Sequence, residues 1–148
     1  MMDLKRRILL IICLIVIVAI VIVWNKPSIS QYEDSFGFSL GDTEVKVMDY
    51  YHHSDFRDSI SIYRIDVIDN SEINIFDENT MIIGLSSEAE TLLDMALETS
   101  SNSSRFEDLD SINRDDCRST VLKEKNGDAE LCIINYGVNN QYLVIWVG

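Results

Sequence analysis

The sequence predicts an α+β fold: an N-terminal single transmembrane helix followed by a small antiparallel β-sheet domain with one or two packed α-helices. Three observations carry that expectation. Residues 8–24 form an unbroken apolar run. Residues 59–68 and 121–147 are rich in β-branched and aromatic side chains and are bounded by turn signals. Ala89, Leu92, Leu93 and Ala96 fall at i, i+3, i+4 and i+7, the spacing of one helical stripe.

Charge divides the chain the same way. Its 148 residues hold 12 Lys+Arg against 25 Asp+Glu, a formal charge of −13. Residues 27–148 alone hold 8 basic and 24 acidic side chains, which leaves that part at −16. Such an excess repels phosphates and argues against a nucleic-acid binder, and the length argues against a multidomain enzyme. Of those 122 residues 49 are apolar, enough to build one core.

Residues 1–7 read as a cytoplasmic N-terminus, Ile8 to Trp24 as an uncleaved signal anchor, 25–34 as a tether, and 35–148 as an acidic extracytoplasmic domain. The seventeen residues of the run reach roughly 25 Å as a helix, with Trp24 suited to an interface and Arg7 and Lys26 able to extend their charges outward. Ala19 is the only small residue in the run, so it offers no signal-peptidase pattern. Bulky Leu10-Ile11-Ile12 before Cys13 argue against a lipoprotein signal. Three basic residues precede the run and one follows it, which places the N-terminus inside a plasma membrane and the domain outside.

Within the domain, Ser35 to Leu40 and Thr43 to Tyr51 around Gly41-Asp42 read as a hairpin, and His52 to Asp58 breaks the pattern. Ser59 to Ile68 is a strand with Ile60 and Ile62 on one face and Tyr63, Ile65 and Val67 on the other. Glu72 to Phe76 and Met81 to Ile83 are short strand candidates. Ser87 to Glu90 reads as a capping box that starts the helix. From Ser104, either a second helix carrying Phe106, Leu109 and Ile112 or an acidic loop follows. Asn126-Gly127 suits a type I′ turn, which pairs Lys125 with Asp128, Lys123 with Glu130, Leu122 with Leu131 and Val121 with Cys132. After a turn near Gly137 to Asn140, the last strand is apolar on both faces, so it belongs in the sheet centre with the helix on one side. A second helix, a curled sheet or a second copy could cover the other side.

Chemical signals are sparse. His52 and His53 are the only histidines, with Asp55 and Asp58 nearby, and could form a metal site or an acid/base pair, but neighbours on a strand point to opposite faces. Glu107, Asp108, Asp110, Asp115 and Asp116 could offer hard oxygens to calcium, yet they lack the order of the familiar loop. Cys117 and Cys132 would pair by default in an oxidising space. The hairpin register separates them by about 13 Å, beyond the roughly 7 Å reach of a disulfide, so unpaired thiols are favoured. Asn102-Ser103-Ser104 matches a glycosylation triplet without carrying weight. No nucleophile elbow, zinc-binding helix motif, paired Cys-x-x-Cys or phosphate loop is present in the sequence.

The expectation is therefore a membrane-anchored, extracytoplasmic, non-catalytic interaction or accessory module of a bacterial envelope. It contacts the membrane through Ile8 to Trp24 and an unidentified protein through its acidic domain, with no cofactor, no nucleic acid and an oligomeric state the sequence does not specify. The alternatives are a small hydrolase using His52 or His53, and a cation-binding domain in which His52, His53, Asp55, Asp108 and Asp110 are weak ligand candidates.

Overall fold

A computed structural model describes residues 4–24, 28–41, 44–55, 58–68, 81–101, 103–106, 108–136 and 141–148. The strands are β1 (Val45–Ser54), β2 (Ser59–Val67), β3 (Ile82–Ile83), β4 (Arg118–Lys123), β5 (Glu130–Tyr136) and β6 (Gln141–Val147). They form an antiparallel sheet in the order β1-β2-β6-β5-β4-β3. The α+β part of the expectation holds, and β6 is central as its two-sided apolarity requires.

The membrane part does not hold. Among the described residues no helix is long and apolar enough to cross a membrane. Residues Leu4–Trp24 do form a helix, α1, and the described side chains from Ile8 to Ile20 are apolar and largely exposed. Length is the physical reason: Arg6 and Arg7 occupy its start, and the uncharged run after them is seventeen residues. That is about 25 Å, short of a roughly 30 Å hydrocarbon core and of the about eighteen residues at which a run reads as a span. The signal-anchor reading, the membrane contact through Ile8 to Trp24 and the single-pass plasma-membrane location are corrected accordingly. The assignment of an inside and an outside falls with them, since basic flanks orient only a segment that spans.

One face of the sheet is covered by α3 (Ser87–Ser100), whose Ala89, Leu92, Leu93 and Ala96 are buried against Ile60, Ile62, Cys132, Ile134 and Ile145. The predicted stripe is the one that packs. The cap sits one residue earlier than expected: the Ser86 hydroxyl accepts from the Ala89 amide at 3.1 Å, and Glu90 N–H donates to the Ser86 carbonyl. Of two adjacent serines, Ser86 has the extended backbone a cap needs, with φ −67° and ψ 160°. Phe106, Leu109 and Ile112 are also buried here, carried by two 3₁₀ turns, Ser104–Phe106 and Leu109–Ser111, in place of an α-helix.

The opposite face is covered by the segment expected to be a tether and a strand. Ile29–Tyr32 form a 3₁₀ turn and Glu33–Phe36 a single helical turn, α2, ended by Gly37 at φ 76°. Ile29, Phe36 and Leu40 are buried against Tyr63, Ile65, Leu131 and Ile133. The predicted first hairpin strand, Ser35 to Leu40, is therefore absent as a strand, and β1 instead runs on through His52 and His53 to Ser54.

The β4–β5 register is the predicted one, with Lys123 opposite Glu130, Leu122 opposite Leu131 and Val121 opposite Cys132. The turn is not. Gly127 lacks the positive φ that type I′ demands, and the ladder closes at Glu124 N–H to Ala129 C=O. Lys125 N–H donates instead to Ser35 C=O at 3.0 Å, so the loop opens to hold the N-terminal cover. The strand expected at Glu72 to Phe76, the turn at Gly137 to Asn140 and the triplet asparagine Asn102 lie outside the described residues.

Phe36 is 6% exposed, and truncating a large buried aromatic costs about 3–5 kcal/mol. Phe36→Ala should lower unfolding free energy by about 3 kcal/mol in urea titrations, whereas a residue on a free tether would change it by less than about 0.5 kcal/mol.

Candidate functional site

His52 and His53 lie in β1 opposite Ser61 and Ile60, and so on opposite faces of the sheet. The structure does not bring them together. His52 Nδ1 is 2.8 Å from Ser61 Oγ, and its ring stacks on Tyr50 at 5° between planes. Ser61 is 1% exposed, so its hydroxyl is closed to a substrate in this conformation. Asp55 and Asp58 are exposed beyond the strand end, where Asp55 N–H donates to Asp58 C=O.

Two members of the acidic stretch, Asp108 and Asp116, are engaged in structure. Asp108 accepts from Arg64 Nη2 at 2.5 Å while Arg64 Nη1 donates to Asp49 at 3.2 Å, and the guanidinium sits 5.4 Å over the Phe106 ring. Burial works against the Arg64 charge, but the Asp108 carboxylate and Tyr136 outweigh it and hold its pKa above the ordinary value. Asp116 bonds the Asn113 amide, and Arg114 bridges to Glu90 and Asp94 on α3. Asp110 and Asp115 are exposed, and Glu107 lies outside the described residues. Among the described residues, no three His, Cys, Asp or Glu side chains are grouped to hold a metal ion.

Under the N-terminal cover lies an aromatic cluster. Tyr32 donates to or accepts from Tyr63 at 2.9 Å between hydroxyls, stacks on Trp146 at 5.4 Å, and meets Phe36 edge-on. Burial and the neighbouring Tyr32 and Tyr50 push the Tyr63 hydroxyl well above the usual tyrosine range. This cluster serves packing.

Among the described residues, no strand pairs with the outer edge of β1. Ser59 and Gly148 exchange two backbone hydrogen bonds, so odd-numbered residues of β2 face β6 and even-numbered ones face β1. Tyr50 is opposite Tyr63 and His52 opposite Ser61. Both therefore point their N–H and C=O groups away from the sheet. The Tyr50 carbonyl accepts from Arg105 Nη1 at 3.2 Å, as an outward carbonyl can. Beside this edge lies a groove of about 930 Å³, walled by Ile29, Glu33 and Leu40 of the N-terminal cover, by Lys46, Met48 and Tyr50 of β1, and by Arg105 from the other layer. The groove is thus a slot bounded by the N-terminal cover, β1 and Arg105. Composition could not reveal it, because β1 becomes an edge only through the strand order.

No family model matches the chain, and no curated protein or solved structure matches it either.

Both domain thiols are free and buried, with Cys117 at 3% and Cys132 at 0% exposure, while Cys13 on α1 is exposed. Burial first, then the nearby Cys117, pushes the Cys132 thiol up to about 12. At pH 8 a thiol-disulfide reagent should therefore titrate Cys13 rapidly and the other two only on unfolding. An unfolded cysteine ionises near about 8.5, so the raised native value stabilises fully below that pH and is lost as pH climbs toward 12. Between about pH 8.5 and 10.5 the native chain should lose on the order of 2 kcal/mol more than Cys132→Ala, measured by urea unfolding at each pH.

Proposed function

We propose that the domain is a non-catalytic protein-interaction module that accepts an extended segment of a partner as an added strand along β1. The observation that supports this most directly is the ten-residue edge strand flanked by a groove. Outward N–H and C=O groups of Tyr50 and His52 supply the main-chain hydrogen bonds such an addition needs. Exposed Met48 in the same groove supplies apolar surface beside the incoming strand. The far edge of the sheet is poorer, since β3 is two residues long.

A synthetic ten-residue peptide of alternating Val and Thr, added to the isotope-labelled full chain, should slow hydrogen exchange at the Tyr50 and His52 amides and shift resonances along β1. Binding that perturbs β3 or α3 and leaves β1 unchanged would overturn the reading.

The Ser61–His52 hydrogen bond favours a second reading, a hydrolase in which His52 activates Ser61. Its enclosed hydroxyl weighs against this. If that reading is correct, Ser61→Ala and His52→Gln each abolish ester hydrolysis while His53→Gln does not; equal activity in all three eliminates it.

A further inference from the structure

We propose that the segment accepted at β1 carries an acidic side chain, whose carboxylate takes the Arg105 guanidinium as the incoming strand takes the Tyr50 carbonyl. This rests on the strand-addition reading above. Arg105 at present occupies the position an added strand needs, donating to Tyr50 C=O at 3.2 Å. A new strand must supply an N–H there, so the guanidinium has to leave and loses that bond. Its surroundings then matter.

The groove holds two carboxylates, and both are engaged: Glu33 Oε1 accepts from Leu40 N–H at 2.5 Å, and Asp49 pairs with Arg64 at 3.2 Å. It also holds two exposed cations, Lys46 and Arg105, and among the described residues neither has a carboxylate within salt-bridge distance. Glu33 keeps its charge under that amide bond and Asp66 stands opposite Lys46 in the ladder, so Arg105, held only by the Tyr50 carbonyl among the described residues, is the cation an incoming strand engages. Arg105 touches the carbonyl an added strand would use, and contacts inside the roughly 8 Å screening length at physiological salt decide which strand is accepted. A carboxylate on the incoming strand satisfies the displaced Arg105. A lysine in its place adds a third cation to the slot. Arg105 thus protects the edge from strands that offer it nothing in exchange, a guard against indiscriminate pairing.

The purified full chain is titrated with three acetylated, amidated Val/Thr decapeptides that differ only in a central Glu, Gln or Lys. Affinity is read by calorimetry, and exchange at the Tyr50 and His52 amides locates the peptide. The Glu peptide should bind about fivefold tighter than the Gln peptide, the size expected of one or two exposed ion pairs, with the Lys peptide weakest. Arg105→Ala should bind the Gln peptide more tightly than the native chain does, because the carbonyl is already free. In the double variant with Lys46→Ala, the preference for Glu should disappear while binding persists. Both residues are exposed, so circular dichroism should show an unchanged fold. Equal affinities for all three peptides with β1 protection would overturn the acidic selectivity and leave strand addition standing. A preference for the Lys peptide would overturn the selectivity in favour of steering by the whole-domain charge. No β1 protection with any peptide would overturn both readings.

Discussion

Burial of β5 on both faces is the constraint from which the rest of this architecture follows. Leu131, Cys132, Ile133 and Ile134 are consecutive and all fully buried, so their alternating side chains feed two cores, not one. A sheet with such strands at its centre needs a layer on each side, because leaving either face wet would expose an apolar patch and invite association. Helix α3 supplies one layer. Few residues are left for the other, and the chain uses the only polar-looking stretch before β1, with Ile29, Phe36 and Leu40 pressed onto Tyr63, Ile65 and Leu131.

That second layer shapes the surface as well as the core. Its Ile29, Glu33 and Leu40 line one groove together with β1 and with Arg105 of the 3₁₀ turn. Edge strands are ordinarily blunted by charge, bulges or cover. All three devices meet here: exposed Lys46, the register shift at Met48, and Arg105 on an outward carbonyl. The protection is polar and reversible, which makes an edge both safe and usable.

The parts legible in the sequence are those set by neighbours along the chain. The stripe of α3, the two faces of β2, the central place of β6 and the β4–β5 register all follow from local periodicity and cross-strand charge, and Lys123 indeed lies 3.3 Å from Glu130. What misled was context. Asn126-Gly127 favours a tight turn, but Lys125 N–H finds Ser35 C=O and the loop widens to reach it. Ser35 to Leu40 alternates like a strand, yet Gly37 at φ 76° turns it back over the sheet. The apolar run of α1 is real as a helix but too short for the role its composition suggested.

For the candidate site, sequence reasoning pointed to the histidines and the acidic stretch because their chemistry is visible in their names. Backbone groups have no such signature, and the edge became apparent only once strand order was known. By itself the sequence determined the stripe of α3, which faces are apolar and how the C-terminal hairpin is aligned, since these depend on spacing of a few residues. Only the tertiary structure decided what covers the second face, which strand is outermost among the described residues and that Arg105 reaches it. Each of those is a competition between segments far apart in the chain, settled by which one buries the most apolar surface while leaving the fewest backbone groups unpaired.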